Sequence, residues 1–462
     1  YILLICIFMQ NKPYEGSVGD RLDRLPVSKF HTKFLLYVTG GEFIITFLVL
    51  LVGSLLAIIS EVFHLSTDVS TYIMPTAFYS GMVVGTFAFG RLADIYGRRK
   101  IYFVNLLIFA FGAIIAGLMS NYILIGVFMF IAGIGTGAEI PLGDTYISET
   151  MTKRNRGRRL ALVYTIGVIS APLGAFWLLE MSNINLADSW RIFLIVLGVA
   201  ALVFQVIRFR MKESPRWLES VGRYKDANNL MNSIEEEVMK EKAISSLPPV
   251  ESHTEVLKEK PKWIDLFDKK LRKNTIMVII FQYAQSGVFF GFTALVPTLL
   301  IAKGYSLAST FLFSIIIYMG FLVGSLVNLL YIDKLERKIG VCLFVGLAGI
   351  FGIIFSIANN SAEVVLFGFI VAFMLWNMSN FFHQYQAEIF PTKLRGSGTG
   401  MGQGINAIAS ASVPTLIVVF VLSHGSLAVF SVLGILVLIT IFDIMLFGPK
   451  TSQRELESIS NM

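Results

Sequence analysis

Charge is what this chain has least of. Only 15% of its 462 residues are Asp, Glu, Lys or Arg, against about 25% in a soluble globular protein. That excludes a soluble enzyme and a disordered protein. Cysteine is nearly absent, with Cys6 and Cys342 alone. Two cysteines cannot build a metal cluster, and they suggest no disulfide framework. No phosphate-binding loop and no soluble domain is present, which excludes an ATP-driven pump. No nucleophile–base or metal-ligand set is present either. No enzyme, cofactor or metal is therefore expected.

What fills the chain is apolar: 55% of it is hydrophobic. A membrane helix needs about 20 apolar residues to cross about 30 Å of hydrocarbon. Twelve stretches meet that length, at 34–60, 72–92, 101–119, 122–147, 160–179, 191–209, 274–301, 308–331, 340–358, 363–387, 397–422 and 427–447. Several contain proline (Pro75, Pro141, Pro172, Pro297, Pro414), which membrane helices tolerate. The fold class expected is an all-α membrane protein of twelve transmembrane helices.

The net charge of +7 is explained by where the cations fall. Of 38 Lys and Arg, 36 lie on one side of the alternating loops, fifteen of them in the segment between spans 6 and 7. The other side holds only Arg191 and Lys303. The positive side of a membrane protein faces the cytoplasm, so both termini are expected there, in the plasma membrane. The basic charge is an orientation signal, and no nucleic-acid partner is expected. Residues 1–9 are apolar, too short to span, and lack signal-peptide features. Met9 is taken as near the true start, and 1–9 are given no role.

The chain also repeats itself. Asp94, Gly97, Arg98 and Arg99 correspond to Asp333, Glu336, Arg337 and Lys338, and Glu149 and Arg156 correspond to Glu388 and Arg395, always 239 positions apart. Two six-helix halves result, at 1–210 with the N-terminal arm and at 274–462 with a short tail. A polar linker at 211–273 joins them, with short helices near 215–242 and 262–272. Parallel repeats place a substrate site at their interface near the midplane.

The loop after span 2 reads Gly90-Arg-Leu-Ala-Asp94-Ile-Tyr-Gly97-Arg98-Arg99-Lys. A glycine there is expected to let helices approach closely. The spacing resembles the loop signature of the major facilitator superfamily, with Ile95 where that signature usually has a cation. Three further segments resemble the sugar-porter branch: Glu213-Ser-Pro-Arg216-Trp-Leu after span 6, Glu388-Ile-Phe-Pro-Thr-Lys-Leu-Arg395-Gly after span 10, and Pro449-Lys-Thr after span 12. The resemblance covers nearly the whole chain. It implies a monomeric rocker-switch transporter, in the lipid bilayer, moving a small molecule with protons. It also implies that the basic-side pairs among Gly90, Asp94, Gly97, Arg98, Arg99, Glu149, Arg156, Glu213, Arg216, Asp333, Arg337, Lys338, Glu388 and Arg395 gate the change by holding the halves together.

Span 4 carries Gly133, Gly135 and Gly137, then Glu139 and Asp144. The glycines follow no strand and are read as close helix contact. The segment is similar to proton-coupled metabolite and phosphate porters, in which an acid stands at Glu139; Met129 stands where many members carry an Arg. The spans are read as holding four acids, Glu42, Glu139, Asp144 and Asp443, and no Lys or Arg. Asp443 is read as a terminal carboxylate reaching toward water. Glu139, helped by Glu42 and with Asp144 beside it, is expected to carry the proton, because buried acids face a wet cavity or a partner. On span 10, Trp376, Asn380 and His383/Gln384 share one helical face, with Asn377 nearby. Span 7 offers Gln282, Tyr283, Gln285 and Ser286. An aromatic plus amides suits a polyhydroxyl or heteroaromatic solute. His383 stands opposite Asp144 in the repeat and is read as a packing residue before a relay.

A neutral or cationic solute is expected, such as a sugar, polyol or nitrogenous compound, because a permanent anion at the midplane would need a cation. Span 7 lacks the paired Gln and later Asn usual in sugar porters, which weighs against a hexose. The alternatives are an organic acid or phosphate porter, in which anion and proton enter together, and a non-transporting membrane sensor. Topology has a direct test. Cysteines placed at Ser66 and Ser182 should react with an impermeant maleimide from outside, and one at Ser220 should not; external labelling at Ser220 would reverse the orientation.

Overall fold

The structure, a computed structural model, describes residues 17–152, 156–250, 263–332, 334–390 and 394–451. The expectations for residues 1–9, Asp333, Pro391 to Lys393 and the tail beyond Thr451 lie outside the described residues, as do those for the side chains of Arg156 and Arg395.

Among the described residues there is no strand. Eleven continuous helices are long and apolar enough to cross a membrane. Spans 1 to 4 are Lys29–Val62, Thr67–Tyr96, Arg98–Leu118 and Tyr122–Thr150. The next, Arg159–Arg208, runs 50 residues and breaks at Asn185, whose φ of −154° and ψ of 102° are not helical. Asn185 Oδ1 accepts the N–H of Ala187 at 3.0 Å, a local bond that competes with the helix and starts a new one. This stretch therefore supplies spans 5 and 6, and the crossings among the described residues number twelve. Spans 7 to 12 are Arg272–Ala302, Leu307–Asn328, Arg337–Ile357, Ser361–Ile389, Arg395–Phe420 and Ser426–Phe447.

The glycines of span 4 do what their spacing suggests. A Cβ on Gly133 would stand 2.0 Å from the carbonyl of Phe78, and one on Gly137 2.1 Å from that of Met82. Spans 2 and 4 thus meet backbone to backbone, as small residues allow. Gly135 faces the other way, toward Asn105 on span 3.

Helix ends leave backbone groups without partners, and hydrocarbon offers no water to replace them. The two halves solve this alike. Asn121 Oδ1 accepts the N–H of Ile123 at 2.8 Å at the start of span 4, and Asn360 Oδ1 that of Glu363 at 2.8 Å at the start of span 10. Arg191 donates to the carbonyls of Gly117 and Met119 at 3.1 and 2.6 Å, closing span 3. Lys303 donates to Ser356 and Ala358 at 2.8 and 2.9 Å, closing span 9. At the opposite end, Arg99 donates to Phe209 O and Lys338 to Gly448 O, both at 2.9 Å. The carbonyls in each pair are 239 positions apart.

The end bearing Arg99 and Lys338, here the basic end, also carries a platform. It comprises the arm helix Val18–Asp23, the helices Pro215–Ser220 and Tyr224–Lys242, and a 3-10 turn at Trp263–Phe267. Arg21 and Arg24 both grip Glu235 at 2.7 Å. Burial works against charge on Glu235, but the two guanidinium groups outweigh it and hold the carboxyl below the usual carboxylate range. The clasp therefore contributes stability at neutral pH and loses it as pH falls through that lowered value. Trp217 Nε1 donates to Asp94 O at 3.0 Å and ties the platform to span 2.

Across the middle, span 1 meets span 7, span 2 meets span 11 and span 5 meets span 8. A Cβ on Gly53 would lie 2.0 Å from Ala294 O. Thr76 and Thr415 share a hydrogen bond of 2.6 Å, and Thr165 and Ser325 one of 2.8 Å.

The caps give a stability prediction. Arg191→Met and Lys303→Met should each cost about 1.5–3 kcal/mol, the range for hydrogen bonds that involve a charged group, and each should lower the thermal unfolding midpoint in detergent. A midpoint unchanged in both would show that the carbonyls at 117/119 and 356/358 need no cap.

Candidate functional site

The expectation that the spans hold no Lys or Arg is overturned at Arg208. Counted in sequence with the basic segment after span 6, it ends that helix and turns inward. Its side chain is 1% exposed and pairs with Glu139, which is fully buried. Glu139 stands eleven residues from the end of span 4, about 16 Å by helical rise, so the pair is deep. Arg208 Nη1 also reaches Glu139 Oε2 at 3.1 Å, Asn105 Nδ2 donates to the same oxygen at 2.8 Å, and the guanidinium lies 3.9 Å from the centre of the Tyr102 ring. Tyr37 O and Tyr102 O accept its remaining N–H groups. Gly41 makes the room, since a Cβ there would be 1.9 Å from Arg208 and 2.1 Å from Glu139. Beside it, a Cβ on Gly40 would strike Phe204 at 2.2 Å. The adjacent glycines form a notch for Phe204 and Arg208, one turn apart on span 6. That notch, with an amide at Asn105, was the sequence signal for the pair.

Glu139 therefore differs from the lone acid expected. A carboxylate held by a buried arginine and an amide is a poor proton carrier, because neutralising it strands the cation. Glu42 is different. It is 5% exposed, no donor among the described residues reaches its carboxyl, and its Cγ lies close to Gly167 on span 5. Asp144 is half-buried and accepts the Tyr164 hydroxyl on both oxygens, at 2.8 and 2.9 Å. The Tyr164 ring in turn lies against His383 of the other half, centroids 5.0 Å apart and planes 22° apart. Tyr164 carries no sequence pattern that singles it out. The repeat register of Asp144 and His383 pointed to the place, and the bridging ring had to be seen.

The amides of the C-terminal half divide. Gln282 donates to Gln386 at 2.6 Å and accepts from Gln285, which also meets Ser286; Asn406 of span 11 donates to Ser286 at 2.9 Å. Asn377 binds Asn328 at 3.0 Å and the Tyr331 hydroxyl. Gln282, Gln285 and Asn377 are thus paired within the half, and the expected solute wall keeps only part of its amides. Tyr283 pairs with Ser412 at 2.9 Å. Trp376 packs on Phe289 and Phe321. Its Nε1 and Gln384 Oε1 are buried without a partner among the described residues. Asn380 is half-buried. Asp443 does not reach toward water: it is 6% exposed.

The basic-end pairs are present but act within each half. Arg98 bridges Asp94 at 2.5 Å and Glu149 at 3.2 Å, joining spans 2, 3 and 4. Arg337 meets Glu388 at 3.5 Å at the matching place. Glu213 accepts the Arg99 N–H at 3.0 Å, and Arg216 stands 3.7 Å from Asp23. The first two are clamps inside a half and the last two fasten the linker to the first half; none of these ties one half to the other. Gly90 has open space where a Cβ would go, so the close approach expected there is absent. Gly97 fills that part, with φ of 106° and Glu213 2.5 Å from a built Cβ.

Comparison with known proteins agrees with this architecture. The family model described as "Sugar (and other) transporter" matches residues 33–462. The chain is 27% identical to the inner membrane metabolite transport protein YdjE of Escherichia coli, over 96% of this chain and 99% of that one. It is 23% identical to the niacin transporter NiaP of Acinetobacter baylyi, over 95% and 99%. Its fold matches the crystal structure of a D-xylose-proton symporter with a TM-score of 0.69 at 17% identity, covering 92% and 99%.

The buried pair has a direct test. Glu139→Gln leaves Arg208 unpaired and should cost about 3–5 kcal/mol, seen as lost monodisperse protein in size exclusion. Glu139→Leu combined with Arg208→Met should recover most of it. A Glu139→Gln variant as stable as its parent would restore the acid as a free proton carrier.

Proposed function

We propose that this chain, which belongs to the sugar (and other) transporter family, couples uphill movement of a small neutral or cationic metabolite to a proton. It is a multi-pass membrane transporter of the major facilitator superfamily and not an enzyme. Its basic end faces the cytoplasm, the side on which cations of a membrane protein concentrate.

The observation that carries the coupling is the environment of two acids. Among the described residues, no donor reaches the Glu42 carboxyl, and Asp144 accepts the Tyr164 hydroxyl alone. Either can take and release a proton without stranding a buried cation. The solute class follows from the same map. Arg208 is the deep cation found, and Glu139 neutralises it, so it is committed before any solute arrives. A fixed anion would then sit uncompensated in a low-dielectric site. On the solute side, Trp376, Asn380 and Gln384 combine an aromatic face with free amide capacity, which suits flat nitrogenous rings and polyols alike. The relatives are consistent with that range, one named for niacin and the structural neighbour for D-xylose. A weak acid entering with its proton satisfies the same constraint, because the two together are neutral.

Proteoliposomes with an imposed pH gradient test it. Solutes accumulated uphill should be found among neutral and cationic metabolites or weak acids, and Asp144→Asn should abolish accumulation while sparing exchange. Competition by matched analogues between pH 5 and pH 8 reads the charge. Preference for a fully ionised phosphate or dicarboxylate would overturn the solute class. Accumulation equal to the parent by Asp144→Asn would remove Asp144 as the carrier, and by Asp144→Asn combined with Glu42→Gln would overturn the coupling.

A further inference from the structure

We infer that Tyr164 transmits the protonation of Asp144 to the contact between the two halves, and that its bond to the ionised carboxylate keeps the basic end closed. The inference rests on the proposed coupling at Asp144 for its place in transport, but its geometry stands alone.

The hydroxyl of Tyr164 lies nearly equidistant from both Asp144 oxygens, at 2.8 and 2.9 Å. One O–H shared between two oxygens needs an open lone pair on each, which an ionised carboxylate offers. A protonated carboxyl carries its own O–H on one oxygen, and the bond from tyrosine also loses its charge assistance, roughly halving its strength. The phenol is rigid, so hydroxyl and ring move together. Release of the hydroxyl frees the ring face that lies against His383. The next residue, Thr165, bonds Ser325 of span 8 at 2.8 Å. Two successive residues of span 5 thus fasten it to spans 10 and 8 of the other half, and Asp144 holds one of them in place.

The position fits a latch. Asp144 is six residues from Thr150, and His383 six from Ile389, about 9 Å from the basic ends of their helices. Among the described residues, the other charged groups facing this place are few. Glu42 on span 1 is within electrostatic reach of both Asp144 and Tyr164, with the Glu139–Arg208 pair beyond it. From span 10 the facing group is His383, and from span 8 the neutral Ser325. Among the described residues, the ion pairs Arg98–Glu149 and Arg337–Glu388 at the basic end lie within single halves, so they do not substitute for this contact.

The test uses the full chain in nanodiscs with Cys6 and Cys342 replaced by serine. Spin labels go at Lys100 and Lys334, exposed residues at the basic ends of the two halves. Double electron–electron resonance at pH 8 and pH 5 reads the separation, with no solute required. In the parent, the ratio of long to short separations should rise at least fivefold on acidification. Tyr164→Phe keeps the ring and loses the hydroxyl; it should show the acid-like ratio already at pH 8 and change less than twofold. His383→Leu keeps the bond to Asp144 and loses the stack, and should be equally flat. Either variant folding as monodisperse protein suffices. A Tyr164→Phe or His383→Leu variant that follows the parent overturns the inference, and so does a parent without a pH response. A responsive parent that accumulates no solute in proteoliposomes overturns the proposed function and leaves the latch standing.

Discussion

Hydrocarbon supplies no hydrogen-bond partner, and that constraint shapes the whole molecule. Every backbone group must be satisfied by the protein, so the crossings are helices. Their ends are closed by side chains: asparagines at the starts of spans 4 and 10, and long cations at the ends of spans 3, 6, 9 and 12. The same rule governs the interior. Arg208 is tolerable only because Glu139, Asn105 and two carbonyls occupy its donors or its partner's lone pairs. Removing water thus fixes the ends and the deep polar cluster together.

The repeat organises these solutions. Capping carbonyls, capping asparagines and basic-end ion pairs recur at one offset. The donors need not match, since Arg191 and Lys303 sit at unrelated places yet reach equivalent carbonyls. What is kept between the halves is the need, a helix end to be closed. The polar clusters inside each half differ. The membrane interior of the first half holds the buried Glu139–Arg208 pair, while that of the second has linked amides at Gln282, Gln285 and Gln386 with Ser286.

The helices, their number and the repeat were legible in the sequence because each depends on local composition or spacing. Span 4 shows this well: the Gly133, Gly135 and Gly137 pattern gave close packing, and the structure has it. Side-chain partnerships across helices were not legible. Arg208 and Glu139 are 69 positions apart, and a terminal arginine reads as a loop cation until span 6 is docked on the Gly40–Gly41 notch. Gln282, Gln285 and Asn377 lie on spans that suggest a cavity wall, yet rotation about each helix axis turned them toward neighbours in the same half. Tyr164 was invisible for the opposite reason. Span 5 carries no motif, and its importance arises only from meeting Asp144 and His383 from different parts of the chain.

The clamps Arg98–Glu149 and Arg337–Glu388 each bind helices that belong to one half. Each half is thereby stiffened as a block, while the seam between blocks is held by hydroxyl pairs and ring contacts. Such contacts are individually weaker than the ion pairs inside each block. Substitutions will therefore sort into two kinetic kinds. Those at the ion-pair clamps shorten the lifetime of the folded protein and leave its cycle rate untouched. Those at the seam change how often the protein turns over while it lasts.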